Sequence, residues 1–183
     1  MLEDDEELIS AHQVTYALEF DADTSLYEHF ITCCETLGIM DARERMSEIL
    51  ICDYILANHD RHMRNFGVIR NVNTLECRMA PIFDSGSCLW NTVDVLNRWE
   101  NTYRSKPFDH IPERQLALVD KWDWYDLSSE KSEQLIDFIK NTLSGGPLKN
   151  APVHSGLIIN FVSDNINTVG RFKEGHRDHP ALI

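Results

Sequence analysis

Apolar positions three and four apart run through most of this chain, the period of an amphipathic helix. The spacing is loose over residues 5–18, which are assigned a first helix. From Ser25 the pattern tightens. Leu26, Phe30, Cys33, Cys34 and Leu37 recur at helical spacing, Ser25 and Glu28 have the spacing of a capping box, and Gly38 stands where a C′ residue would. Asp41, with Glu44 three residues later, opens a second helix lined by Met46, Ile49, Leu50, Tyr54 and Leu56. Ile51 and Ile55 add apolar character on another side, so this helix is expected to be buried on more than one face. The period then shortens to that of a strand. FGVIR (66–70) and CRMAPIF (77–83) predict two strands, and the turn residues NVNTLE between them predict a β-hairpin. Pro81 must lie where no ladder N–H is needed.

Residues 85–111 show no period and are assigned to loop. Helices are predicted again at 112–124, with Pro112 in the first turn, and at about 129–143 on Leu135, Ile136, Phe138, Ile139 and Leu143. A last helix, about 152–171, is built on Val153, Leu157, Ile158, Phe161, Val162, Ile166 and Val169. Gly145-Gly146-Pro147 separates the two, and the tail GHRDHPALI is expected to fray. There is no internal repeat, low-complexity tract or linker. The expectation is a single domain over residues 1–183, mainly α (α+β), with one small hairpin inserted between helices.

Composition adds limits. The 183 residues suffice for one domain with its own core, and 43% hydrophobic with 26% charged residues is an ordinary globular balance. Seventeen basic residues stand against 30 acidic ones, for a formal net charge of −13. That argues against a nucleic-acid or membrane surface, since phosphate groups call for basic patches. Cys33, Cys34, Cys52, Cys77 and Cys88 are odd in number and irregular in spacing, a poor disulfide framework. A reducing, cytoplasmic compartment is expected. MLEDDEELIS is acidic where a secretory leader is basic, and no apolar run approaches the length of a membrane span.

The chemistry concentrates in LANHDRHMRNFGV (56–68), directly after the apolar run SEILICDYILA. Polar groups at the end of a core helix are costly unless satisfied, so they either cap and pair with one another or face a ligand. For a hairpin turn centred between residues 74 and 75, Asn65 enters the first strand directly opposite Asp84, which leaves the second. A turn displaced by a residue or two leaves them near neighbours. Paired positions lie about 4.5–5.5 Å apart at Cα. Two oxygen-bearing side chains that close can share one hard cation such as Mg2+. Asp60 sits five residues before Asn65. One carboxylate to accept a hydroxyl proton, with an amide and a second carboxylate to hold metal on nucleotide phosphates, is the set that phosphoryl transfer uses.

With those residues in view, NHDRHMRNFGV…APIFDSG resembles the HipA-like serine/threonine kinases of bacteria and, more distantly, the DRHxxN and DFG segments of phosphatidylinositol kinases. PERQLALVDKWDW is similar to a segment in phage-associated relatives of that family. The resemblance implies a helical kinase C-lobe, ATP and Mg2+ as cofactors, and a protein Ser/Thr hydroxyl as acceptor. It implies Asp60 as catalytic aspartate, Asn65 and Asp84 as metal- and cofactor-binding residues that complete the catalytic set, and Arg61 and His62 as supports of the loop. The specific likeness covers residues 53–86. Ser85 stands where many kinases carry Phe. The residues before the loop read as helix, with no Gly-rich turn and no lysine before Lys106. A phosphate-gripping N-lobe is therefore expected from elsewhere, in cis or as a separate chain. The alternative is a non-catalytic protein-binding module, phage- or mobile-element-associated, that retains the scaffold.

Plainer readings stand beside these. His59 and His62 have a spacing compatible with Zn2+ but no evident third ligand, so a structural role is favoured. His176 and His179 are assigned to a polar tail. The cysteines are read as small buried residues, and Trp90, Trp99, Trp122 and Trp124 as core, with an exposed patch at Trp122 and Trp124 as the alternative.

Overall fold

The structure, a computed structural model, describes residues 2–90, 104–126, 128–145 and 152–178. Trp99, Gly146, Pro147, His179 and residues 91–103 of the loop expected over 85–111 lie outside the described residues, as do the side chains of Trp90 and Val153. In chain order the elements are β1 (Glu6–Ser10), α1 (Ala11–Val14), α2 (Leu26–Thr36), α3 (Ala42–Ile55), β2 (Gly67–Asn71), β3 (Cys77–Met79), α4 (Pro112–Leu116), α5 (Ser129–Gly145) and α6 (Pro152–Asp178). Helices predominate around one small sheet, the mixed fold class expected from the sequence.

The helix starts follow their caps. Ser25 accepts from the Glu28 backbone N–H, and Gly38 ends α2 at φ +83°, a conformation that favours glycine. Glu28 does not close the box. Its carboxylate turns to Arg43 on α3 and ties the two helices together. Asp41 makes no cap bond either, and pairs instead with Arg45 one turn on. As expected, α3 is buried on several faces, through Met46, Ile49, Leu50, Ile51, Tyr54 and Ile55.

Three expectations are corrected. Residues 5–18 are not one helix. Residues 6–10 form β1, and Ser10 caps the single turn α1 through a reciprocal box with Gln13. The hairpin is therefore two strands of a three-stranded antiparallel sheet ordered β1-β2-β3, with β2 in the centre. Second, residues 112–124 are helical only as far as Leu116. Beyond it Val119, Trp122 and Tyr125 are buried without helix, and the Trp122 indole donates to the Val119 carbonyl. The exposed-patch alternative fails for Trp122, while Trp124 is half-buried. Third, α6 continues to Asp178, so His176 is helical and its ring lies against Trp122. Ile158, Val162, Ile166 and Val169 form its buried stripe, whereas Phe138 on α5 is exposed.

The hairpin register also differs from the expected one. Val68 pairs with Met79, Ile69 with Arg78 and Arg70 with Cys77. The Asn71 side chain accepts from the Asn73 and Thr74 N–H groups, and Leu75 takes φ +63°, closing the loop at residues 72–75. The turn centre therefore lies one position earlier than expected. Asn65 is level with Ile82 rather than Asp84, and β3 ends at Met79, short of Asp84.

The extra strand bears on the site. Ala11 donates to the Phe66 carbonyl and His12 to the Met63 carbonyl, both at 2.8 Å, so β1 and α1 brace the chain leading into β2. The fit is close at Gly67, where a β-carbon would stand 2.1 Å from the Ile9 carbonyl oxygen. Gly67→Ala should push β1 off the sheet and cost about 3 kcal/mol, the upper end for overpacking, read as the shift of a urea unfolding midpoint. A shift too small to measure would show that β1 yields without loss. No helix among the described residues is long and apolar enough to cross a membrane.

Candidate active site

The site begins with a charge inside an apolar helix. Asp53 is 2% exposed on α3, and such a carboxylate needs partners. Arg61, eight residues on and wholly buried, supplies them. Its Nε meets Asp53 Oδ2 at 2.7 Å and its Nη2 meets Oδ1 at 2.9 Å, a two-point pair. Asn58 donates to the same carboxylate through its side chain, and to the Asp53 carbonyl through its backbone. Burial works against the Arg61 charge, but the Asp53 carboxylate more than offsets it and raises its pKa.

The rest of the guanidinium clamps backbone. Arg61 Nη1 donates at 2.6 Å to the Asn65 carbonyl and at 2.6 Å to the Phe83 carbonyl, and Nη2 reaches Ser85 Oγ at 3.3 Å. The two carbonyl oxygens are thus no farther apart than two such bonds laid end to end. That juxtaposition brings the chain beside Asn65 and the chain beside Asp84 together, although the ladder register does not. Asp84 itself adopts φ +52°, outside the strand.

The Asn65 side chain is buried and its nitrogen donates to the Asp60 carbonyl at 2.8 Å, which leaves Oδ1 as the atom able to meet a cation. Asp84 is exposed, and its carboxylate has no ion pair or hydrogen bond among the described residues. An amide oxygen and a free carboxylate suit Mg2+, which commonly takes one or two protein carboxylates and completes its shell with water and phosphate. Asp60 is half-exposed. Its backbone N–H turns back to Asn58 Oδ1, and its carboxylate meets Lys106 Nζ at 3.0 Å. That lysine holds the Asp60 carboxyl below the usual aspartate range. His62 is exposed and accepts from the Arg64 N–H, so it shapes the turn. His59 is half-buried, and no three His, Cys, Asp or Glu side chains gather to hold a metal among the described residues.

No family model matches the chain. It is 45% identical over 47 residues to the serine/threonine-protein kinase CtkA of Helicobacter pylori, a match spanning 26% of this chain and 14% of that protein. The crystal structure of the H. pylori proinflammatory kinase CtkA superposes with a TM-score of 0.59 at 17% identity, covering 93% of this chain and 72% of that one. The fold is kinase-like.

Arg61 and Asp53 form a buried frame: the carboxylate holds the guanidinium, and the guanidinium holds the backbone at Asn65 and Phe83. The family resemblance implies a supporting role for Arg61 and none for Asp53. The signal was there: one carboxylate in an otherwise apolar helical run has to be paired, and Arg61 is the first cation after it. In the sequence Lys106 stands out only as the first lysine. Nothing in its local sequence shows that the chain returns there to Asp60.

Proposed function

We propose that this chain is the helical, catalytic lobe of an ATP- and Mg2+-dependent protein kinase that phosphorylates a serine or threonine hydroxyl. The observation that carries the reading is the Arg61 clamp, which joins the backbone beside Asn65 to the backbone beside Asp84 through one buried guanidinium. In this reading Asp60 takes the proton of the acceptor hydroxyl as its oxygen bonds to the γ-phosphorus, and the pair of the broken P–O bond leaves with ADP. Asn65 and Asp84 would hold Mg2+, which would neutralise charge on the nucleotide phosphates. The likeness to the CtkA fold and the 47-residue sequence match support the same class of chemistry.

The first glycine in the sequence is Gly38 and the first lysine Lys106. The glycine-rich loop and strand lysine that cover ATP phosphates therefore come, in this reading, from an N-lobe outside residues 1–183, in cis or on a partner chain. The same gap favours a second reading, in which the chain is a non-catalytic protein-binding module, phage- or mobile-element-associated, on a kinase scaffold. Five free cysteines fit a cytoplasmic setting, and the net charge of −13 fits protein rather than nucleic-acid or membrane partners.

Mn2+, a paramagnetic substitute for Mg2+, tests the cation site on this chain alone. NMR signals of the Asn65 side-chain amide and the Asp84 backbone amide should broaden first on titration. Broadening confined to the acidic start of the chain, with none at Asp84, would refute the site.

A further inference from the structure

A cavity of about 390 Å3 opens beside Asp60, lined by His12, His62, Met63, Arg64, Lys106 and Pro107. Among the described residues its walls carry an arginine, a lysine and two imidazoles and no carboxylate, in a chain of net charge −13. Arg64 is exposed and forms no ion pair with a described residue, although 30 acidic side chains are available to the fold. Its backbone is nevertheless fixed. The Met63 carbonyl accepts from His12, and the Arg64 N–H donates to His62 Nδ1 at 3.2 Å. Lys106 belongs both to the cavity wall and to Asp60, which it meets at 3.0 Å.

We propose that this pocket receives an acidic side chain of the acceptor peptide, so that the chain selects hydroxyls flanked by Asp or Glu. The proposal rests on the kinase reading of Asp60. With a hydroxyl at Asp60, the neighbouring peptide residues, about 3.8 Å apart along the chain, come level with the cavity. Arg64 and Lys106 offer the donors, and Met63 and Pro107 offer apolar walls beside which a charge pair is less screened than in open water. The molecule as a whole repels an acidic peptide, so the attraction has to be local, and this pocket supplies it.

Fluorescence anisotropy of short fluorescein-labelled peptides on the full chain tests the pocket without any catalysis. A serine peptide flanked by glutamates should bind more tightly than the same peptide flanked by lysines. Arg64→Glu should weaken the acidic peptide about tenfold and favour the basic one, whereas Arg64→Lys and the charge control Lys131→Glu should stay within about twofold of wild type. Equal binding of both peptides, or an equal loss in Lys131→Glu, overturns the proposal. So does binding of the chain to equimolar phosphatidylserine and phosphatidylcholine vesicles with no discrimination between the peptides. The kinase reading fails separately. Phosphoryl transfer that ignores flanking charge removes the pocket alone, whereas Arg64-dependent binding without transfer in the completed enzyme leaves a binding site and removes the kinase.

Discussion

Arg61→Ala should destabilise the protein by about 3–5 kcal/mol, because it strands the buried Asp53 carboxylate without its counter-charge. The same change leaves the carbonyls of Asn65 and Phe83 without the donor they share. A fully buried acceptor such as the Asn65 carbonyl costs about 1–3 kcal/mol when left unpaired, the part-buried Phe83 carbonyl less, and this second loss separates the arginine from an ordinary ion pair. Asp53→Leu with Arg61→Met removes both charges together. It should recover part of the loss and no more, since an apolar pair restores packing but offers the carbonyls nothing. Arg61→Lys keeps a charge but not the fork, and should fall well short of wild type. Urea unfolding gives the stabilities. Amide exchange at Val68, in the strand that follows the clamped loop, reports whether the damage spreads from the site. An Arg61→Ala protein within about 1 kcal/mol of wild type would show that the clamp is dispensable.

The helical frame was legible because its signals are local. Ser25 and Gly38 bracket α2 by side-chain capping and by backbone conformation, and the apolar residues of α3 fall on enough sides to declare it buried. β1 was not legible. Leu8 is exposed and Ile9 only half-buried, so the strand carries little period of its own, and it exists because β2 lies alongside more than fifty residues later. The segment after Leu116 was misread for a related reason. Val119, Trp122 and Tyr125 find burial against the rest of the fold without completing a helix. At the site, the sequence places Asn65 and Asp84 opposite each other for one turn centre and as near neighbours for a turn displaced by a residue or two. The hairpin turn lies one position earlier than expected, and a long-range guanidinium, not strand pairing, joins the backbones beside Asn65 and Asp84. Hydrogen bonds between side chain and distant carbonyl leave no period in a sequence, whereas a buried Asp followed eight residues later by an Arg does leave a trace.

Asp60→Asn and Asp84→Asn should each abolish phosphoryl transfer in the enzyme completed by its N-lobe, for different reasons that can be told apart. Asparagine at position 60 has the same shape but cannot take the hydroxyl proton, a loss of about 10²- to 10⁴-fold for a general base. Its cation site is intact, so Mn2+ broadening at Asp84 should be unchanged, and more Mg2+ should not rescue the rate. Asparagine at position 84 removes the free carboxylate. Transfer should fall by about a hundredfold or more, Mn2+ broadening at Asn65 should need more metal, and higher Mg2+ should restore part of the rate. Neither change should unfold the protein. Asp84 has no hydrogen bond or ion pair among the described residues to lose, only a longer-range attraction to Arg61, and the Asp60–Lys106 pair is half-exposed, worth about 1 kcal/mol at most. Low activity in a folded protein is therefore chemical rather than structural, and radiolabel transfer at the wild-type rate in either variant would remove that residue from the catalytic set. If the completed protein transferred no phosphate even without these changes, while Arg64→Glu still lost the acidic peptide, the binding-module reading would be the one left standing.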